Sequence, residues 1–218
     1  MPKKHNSLKL TPKMIIRRGH YLYFAYYWLY GKINDLLFAR KSLDDTVFNN
    51  DKEAYPIQSL SYPYLKELSK SIIIYPEDVF VDVGCAWGRV LWCLRRKKYA
   101  KKWIGVEYNS RIAEQAKKIF SSYPDVDIIA GDVNNVFPEE GTVFYLFNPF
   151  GERTICAFLN QIEKKAQHPV RLLYLYPTWR TQIDSREGWD LINEIQLKPR
   201  NLEPLTLCEY HYNAYKKE

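Results

Sequence analysis

The sequence has few cysteines and no cysteine or histidine spacing that would hold a metal ion. Its four cysteines, Cys85, Cys93, Cys156 and Cys208, are scattered over 218 residues and include no CxxC pair. Disulfides and zinc are therefore not expected, and a reducing cytoplasm is the predicted environment. The four histidines share no catalytic spacing with an Asp or Ser, so no histidine-based triad is predicted.

Long apolar runs are also missing. The most apolar stretch, YLYFAYYWLY at residues 21–30, is far shorter than the ~20 residues that span a bilayer. The stretch is dominated by Tyr, and residues 31–35 offer no small-residue cleavage site, so a secretory signal is not predicted either. Internal repeats and low-complexity tracts are absent as well.

The composition is that of a soluble protein with a basic surface. Hydrophobic residues make up 46% and charged residues 26% of the chain, which excludes global disorder. Lys and Arg total 32 against 25 Asp and Glu, giving a formal charge of +7. A basic surface favours acidic partners, and both nucleic acid and an anionic membrane fit it.

From residue 77 onward, apolar β-branched runs alternate with helical patterns. The predicted strands are 79–84, 103–108, 126–132, 142–149 and 170–177, and the predicted helices are 89–98, 110–122 and 152–166. This alternation predicts an α/β fold with a doubly wound, mostly parallel sheet that binds ligands at the carboxyl ends of its strands. Ser110 is the predicted N-cap of the second of these helices.

The two ends of the chain differ from this alternation. Residues 189–198 and 205–213 are strand-like, and their connection is too short for a crossover helix, so they are predicted to pair antiparallel. Residues 1–76 are aromatic and basic without regular alternation. We therefore divide the chain into a helical N-terminal extension, 1–76, and a catalytic domain, 77–218.

The sharpest motif follows the first strand of the domain, in VDVGCAWGR at residues 81–89. Glycines at a junction between strand and helix allow a tight turn and let a ligand approach the backbone closely. A dinucleotide fingerprint, GxGxxG, would need glycine where Ala86 and Arg89 stand, and a P-loop would need Gly-Lys-Ser/Thr. Neither fits, and the pattern that remains is Asp-x-Gly-x-Ala-x-Gly.

This pattern resembles motif I of the class I S-adenosylmethionine-dependent methyltransferases, usually Asp/Glu-x-Gly-x-Gly-x-Gly. The resemblance extends over about residues 55–165 and is closest to small bacterial members with a helical N-terminal extension. It implies S-adenosylmethionine as the cofactor and requires no metal. The residues that would line the methionyl and ribose side of the cofactor are Asp82, Gly84, Cys85, Ala86 and Gly88.

Two acidic residues end the next strands. Glu107 stands where a carboxylate can accept hydrogen bonds from both ribose hydroxyls; the alternative is an exposed acid at a strand end. By the resemblance, Asp132 would accept from the adenine amino group, with Val133 beside it. An ordinary Gly-Asp turn is the alternative there.

The fourth strand ends in Asn148-Pro149-Phe150, where amino-group methyltransferases carry Asn/Asp-Pro-Pro-Tyr/Phe. Asn and Pro carbonyls can accept from an amine and direct its lone pair at the methyl group, while the aromatic ring stacks on a planar acceptor. The second Pro is missing here, so only the place of Asn148 and Phe150 at the reactive end is carried over. Tyr55 and Ser59 resemble a Tyr-x-x-Thr/Ser segment that would cover the cofactor as a lid, with surface packing of a linker as the alternative.

The sequence thus predicts an S-adenosylmethionine-dependent methyltransferase with an unidentified acceptor. An amino group is the first candidate for that acceptor. The alternatives are a nucleic-acid or protein-lysine methyltransferase, or a non-catalytic protein that binds the same cofactor. The aromatic run is predicted to lie in a helical element at about residues 14–40. That element would either cap the cofactor face, which we favour, or contact an anionic membrane through its basic flanks and so hold a cytoplasmic protein at the inner membrane surface.

Overall fold

The structure, a computed structural model, describes residues 21–39, 43, 59–200 and 202–213. Its helices are α1 (Tyr21–Ala39), α2 (Tyr62–Ser71), α3 (Arg89–Arg95), α4 (Ser110–Phe120), α5 (Glu152–Lys165) and α6 (Thr181–Asp184). Its strands are β1 (Val79–Val83), β2 (Lys102–Glu107), β3 (Val126–Ala130), β4 (Val143–Phe147), β5 (Val170–Leu175), β6 (Trp189–Leu197) and β7 (Leu205–Tyr212).

All seven strands form one sheet in the order β3-β2-β1-β4-β5-β7-β6. Strands β1 to β5 run parallel, whereas β7 is antiparallel to both β5 and β6. The predicted fold class is therefore confirmed, including the antiparallel pair at the end and the helix in the N-terminal extension.

The sheet is buried on both faces, as its central strands require. β1 is buried at every position and β4 at all but its last, which matches their uninterrupted apolar sequences. On one face lie α2, α3 and α4, with Leu68, Leu91 and Leu94 at the centre of the core. On the other face lies α5, with Phe158 and Ile162.

The N-cap of helix α4 lies one residue earlier in the chain than the sequence predicts. The side chain of Asn109, not of Ser110, accepts from the backbone N–H of Ile112 at 3.3 Å. The prediction of Ser110 as N-cap is wrong because Ser110 is already the first helical residue. Asn109 occupies the extended backbone conformation from which a short polar side chain can reach the third helical amide.

The N-terminal helices pack against the sheet domain. Leu65 and Leu68 of α2 lie in the same core cluster as the apolar side chains of α3. Phe38 of α1 stacks on Trp92 of α3, with ring centroids 4.9 Å apart. The division at residue 77 stays a prediction, while the α1 segment of the predicted 14–40 element is a helix docked on the rest of the chain. Within the described ranges, no helix is long and apolar enough to cross a bilayer.

Candidate functional site

The predicted cofactor loop, residues 84–88, is fastened to the end of the neighbouring strand β2. The backbone N–H groups of Gly84 and Cys85 both donate to the carbonyl of Val106, at 2.8 and 3.1 Å. The loop closes with a bond from Gly88 N–H to the Cys85 carbonyl at 2.8 Å. These bonds hold the loop at the carboxyl edge of the sheet, where doubly wound folds bind ligands.

Backbone strain is concentrated at this edge. In the part of the chain that is described, three non-glycine residues have positive φ: Ala86 at 50°, Asn148 at 42° and Tyr176 at 53°. They follow β1, β4 and β5 respectively. A left-handed backbone costs such residues about 1–3 kcal/mol each and tends to be retained at functional sites. Their grouping at one edge marks this edge as the candidate site.

Gly88 is required by packing as well as by its backbone. It has φ of +85°, and a Cβ at this position would lie 2.3 Å from Cε2 of Phe120 in α4. Only glycine therefore lets α3 begin this close to α4. Cys85 and Trp87 are buried, and Trp87 donates from Nε1 to Gln115 Oε1 at 2.9 Å, so its indole supports the loop from within the core.

Glu107 connects two loops at the end of β2. Its Oε2 accepts from Ala86 N–H at 2.9 Å, and its Oε1 accepts from Asn109 N–H at 2.8 Å. The carboxyl group is buried, and burial raises its pKa although both backbone bonds lower it. Each oxygen has capacity for one further hydrogen bond, so Glu107 can hold the loop and still accept from a ligand. The alternative of an exposed strand-end acid does not match this burial.

Asp82 is a buried acid whose second oxygen is unsatisfied. Its Oδ2 has no hydrogen-bond partner among the described residues, and the hydroxyl of Tyr145, opposite it on β4, has none either. Burial, and then the charge of Glu107, raise the pKa of Asp82 to about 8. Leaving a buried carboxyl unsatisfied is costly. Within the described ranges neither acid has an ion-pair partner, so the pair would be stabilised by a cationic ligand group.

The third strand ends in a loop that lies against β2. Gly131 N–H donates to the carbonyl of Glu107 at 2.9 Å, and Asp132 Oδ1 accepts from Asn134 N–H at 2.9 Å. Asp132 therefore forms the local Gly-Asp turn that the sequence analysis gave as the alternative. The hydrogen bond of this turn uses Oδ1 and leaves the other carboxyl oxygen of Asp132 outside it. Val133 is buried in the core beside it.

The Asn148-Pro149-Phe150 segment touches the cofactor loop. A Cβ placed on Gly84 would lie 2.8 Å from Cβ of Pro149, so the two loops are in direct contact. Asn148 is held by the hydroxyl of Tyr174, which donates to its Oδ1 at 2.9 Å. Phe150 is buried next to Phe158, with ring centroids 6.1 Å apart, so its ring packs in the core in this structure.

The predicted lid is only partly visible. Ser59 is half-buried and lies just before α2. Tyr55 lies outside the described residues. The roles of both residues stay predictions.

Two exposed aromatic residues at the site were not singled out by sequence. Tyr176 follows β5 and is 41% exposed, and Tyr108 follows β2 and is 48% exposed. β4 and β5 are parallel, and their last residues, Phe147 and Leu175, lie opposite each other. The residues that follow them, Asn148 and Tyr176, are therefore next to each other. The sequence feature that could have identified Tyr108 and Tyr176 is their position directly after a buried strand, which they share with the predicted site residues. No group of three or more metal-ligating side chains occurs in the described part of the chain.

The sheet order is that of the class I methyltransferase fold, with the glycine loop after β1 and Glu107 at the end of β2. Three solved structures with this fold superpose on about 70% of the chain. The N,N-8-amino-8-demethyl-D-riboflavin dimethyltransferase RosA of Streptomyces davawensis matches with a TM-score of 0.58 and 16% identity, over 69% of this chain and 54% of RosA. The tRNA methyltransferase TrmK of B. subtilis matches with a TM-score of 0.57 and 18% identity, over 71% of this chain and 67% of TrmK. An RNA methyltransferase of Salinibacter ruber, in complex with S-adenosyl-L-homocysteine, matches with a TM-score of 0.51 and 16% identity, over 73% of this chain and 95% of that enzyme.

The similarity lies in the fold and not in the sequence. No family model matches the chain. No curated protein matches it significantly in sequence. The chain spans about half the length of RosA, so the activity of that whole protein does not follow for this one.

Proposed function

We propose that the chain is an S-adenosylmethionine-dependent methyltransferase. The observation that carries this proposal is the pair of buried acids, Asp82 and Glu107, beneath a glycine loop that touches the Asn148 segment. When bound, the cofactor would supply a methyl group on a sulfonium sulfur, together with an ammonium and two ribose hydroxyls. An unsatisfied buried carboxyl and a second carboxyl with free lone pairs suit those groups.

Each acid has a separate role in binding. Asp82 would accept from the ammonium group and neutralise it, and Glu107 would accept from the ribose hydroxyls. Asp132 would accept from the adenine amino group with the oxygen that its turn does not use. Tyr108, exposed beside Glu107, offers a ring face to the planar base.

The acceptor would enter on the side of Asn148, and an amine is the class that this side chain fits best. Tyr174 occupies one acceptor position of the amide oxygen, and the second can take an N–H of the amine, which directs the nitrogen lone pair at the methyl carbon. In the transfer a C–N bond forms, the C–S bond breaks with its electron pair going to sulfur, and the nitrogen then loses a proton to solvent. Tyr176, next to Asn148, takes the aromatic position that the sequence assigned to Phe150.

Calorimetry tests the cofactor. S-adenosylmethionine and S-adenosylhomocysteine should both bind, and NAD should not, because the loop lacks the dinucleotide glycines. Heat with NAD and none with either adenosyl ligand would overturn the proposal. Transfer of a radiolabelled methyl group into a fractionated cell extract would then name the acceptor, whereas tight binding with no labelled product in any fraction would favour the non-catalytic alternative.

A nucleic-acid acceptor is the second candidate. The net charge of +7 favours it, and TrmK and the Salinibacter ruber enzyme are named for tRNA and RNA. Phosphate contacts make affinity fall steeply with salt. A gel-shift titration with RNA at several salt concentrations should therefore give a steep slope if this candidate is right and no shift if it is wrong. A protein-lysine acceptor has no specific residue in its support.

We also propose that α1 holds the protein at an anionic membrane surface, the role that the sequence favoured less than a cap over the cofactor face, because its apolar stripe is exposed. The helix carries an exposed stripe at helical spacing: Tyr26, Leu29, Tyr30, Ile33, Leu36 and Leu37. Its one acidic residue, Asp35, faces inward and is buried. Lys32 lies on the helix, and Arg17, Arg18, Arg40 and Lys41 flank it in sequence. An outward apolar and aromatic stripe, with Lys32 on the helix and further cations next to it in sequence, suits attachment to an anionic interface.

Flotation with liposomes tests this surface. The protein should float with anionic vesicles in low salt and should not float with zwitterionic ones. Leu37→Glu, at a side chain that is 72% exposed, should abolish flotation, while Tyr99→Glu, at one 85% exposed elsewhere, should not. If neither vesicle binds and the protein is a dimer that Leu37→Glu dissociates, the stripe binds a second copy and the membrane proposal is wrong.

A further inference from the structure

Arg89 is a buried cation directly behind the candidate cofactor loop. It is the first residue of α3 and follows Gly88, the last residue of the loop. Its side chain is only 4% exposed. A buried guanidinium is stable only where charged or polar groups satisfy it. The conformation at the end of the loop therefore depends on what binds Arg89.

The charged group that binds Arg89 comes from the N-terminal helix, 54 residues away in the chain, while the Leu60 carbonyl accepts from Arg89 Nη1 at 3.4 Å. Asp35 of α1 accepts from Arg89 Nη2 at 2.6 Å through Oδ2. The same oxygen accepts from Leu43 N–H at 3.0 Å, and Oδ1 accepts from the Tyr62 hydroxyl at 2.7 Å. The carboxylate therefore joins α1, α2 and α3 at one buried point.

A second contact route runs from α1 to the same loop. Phe38, one turn after Asp35, stacks on Trp92 and also contacts Phe120, with ring centroids 5.4 Å apart. Phe120 is the side chain that fills the space against Gly88. Helix α1 thus supports the loop through a charge at Arg89 and through aromatic packing behind Gly88.

We propose that Asp35 is a positioning residue for the cofactor site, and that docking of α1 and binding of the cofactor are thermodynamically coupled. The proposal rests on the function proposed above. When Asp35 binds Arg89, the start of α3 and the end of the loop are fixed before the ligand arrives. Coupling is reciprocal, so a ligand that needs the ordered loop must in turn stabilise the docked helix.

Substitution of Asp35 tests the coupling with matched controls. Asp35→Asn keeps the shape and removes the charge that Arg89 binds. We expect it to weaken S-adenosylhomocysteine about tenfold in calorimetry, within the ~5- to 150-fold range of such couplings. Tyr62→Phe removes one hydrogen bond to Asp35 but keeps the ion pair, so it should lower the melting temperature and change affinity less than about twofold. Asp35→Glu, which restores the charge, should recover part of the affinity.

Amide exchange provides a readout that does not depend on the ligand. In the ligand-free protein, Asp35→Asn should speed exchange in residues 84–91, and Tyr62→Phe should not. In the wild type, S-adenosylhomocysteine should slow exchange in α1. If Asp35→Asn does not fold, the double variant Asp35→Asn, Arg89→Gln removes both charges and avoids a lone buried one. It should fold and still bind about tenfold more weakly.

The outcomes separate the two proposals. Wild-type affinity in Asp35→Asn, or in the double variant, would overturn the positioning role. So would unchanged exchange in residues 84–91. A wild type that does not bind the ligand, combined with faster loop exchange in Asp35→Asn, would show that Asp35 orders residues 84–91 and would overturn the proposed function.

Discussion

The buried acid Asp82 predicts an unusual dependence of ligand affinity on pH. Its pKa is raised to about 8, first by burial and then by the charge of Glu107. The ligand-free protein therefore keeps Asp82 protonated at neutral pH. A ligand ammonium that binds the carboxylate form must first displace this proton, so binding should release protons and should tighten as pH rises.

The size of the effect follows from the pKa. With a free-state pKa of about 8, and a carboxylate that stays ionised throughout this pH range once the ammonium is bound, the affinity is reduced by a factor of about 100 at pH 6 and about 2 at pH 8. S-adenosylhomocysteine should therefore bind about 50-fold more tightly at pH 8 than at pH 6, which corresponds to ~2.3 kcal/mol.

Stability should change in the opposite direction. Because the folded pKa is above the ordinary Asp value of about 4, the contribution of Asp82 is fully present below pH ~4 and is lost as pH rises toward 8. Across this interval the ligand-free protein loses stability from this group while ligand affinity rises. Glu107, whose pKa is also raised by burial, would give opposed trends of the same sign, so the Asp82→Asn variant is needed to assign the titration.

Calorimetry at pH 6, 7 and 8, in buffers of different ionisation enthalpy, measures both the affinity and the protons released. Asp82→Asn should bind weakly at every pH, release no protons and converge with the wild type near pH 6. A flat profile in the wild type would refute the reasoning. So would an Asp82→Asn variant that keeps the wild-type slope, because another group would then carry the titration.

Four further substitutions separate the parts of the site. Glu107→Ala should weaken S-adenosylhomocysteine by ~1–3 kcal/mol in calorimetry, and unchanged affinity would remove Glu107 from the site. Asn148→Ala should lower turnover at nearly unchanged affinity for that ligand, and Tyr174→Phe should do the same more weakly; equal losses in both quantities would assign Asn148 to cofactor binding. Gly88→Ala should lower the free energy of unfolding by ~1–3 kcal/mol in denaturant titrations, because the new methyl group overlaps Phe120. A variant as stable as the wild type would contradict that packing.

The fold was predictable because its signals are local. Each strand of the parallel sheet is a short apolar run bounded by turn residues, and α5 lies between two such runs. The strand pair at the end was predictable from two strand-like segments and the short connection between them. These features depend on residues that are close in sequence, so a single sequence is enough to reveal them.

The site was predictable only in outline. The motif placed Asp82 and Glu107 at adjacent strand ends, but which buried oxygen is unsatisfied depends on Tyr145 and on the sheet register. The burial of Phe150 depends on its packing against Phe158 of α5. The ion pair of Asp35 with Arg89 joins segments with no common periodicity. Contacts of this kind are set by tertiary packing, and no single-sequence pattern encodes them.

The place of β7 has a consequence for how the chain is made. β7 lies between β5 and β6, although it follows both in sequence. As the ribosome delivers the chain in order, β6 emerges with no strand to pair with, and the edge of β5 stays open until β7 arrives. During synthesis the parallel strands β1 to β5 can form their part of the sheet first. The nine residues of β6 can join the sheet only when β7 has been made and has paired between β5 and β6. Ribosome-stalled chains ending before residue 205 should therefore be the most prone to associate through an open strand edge.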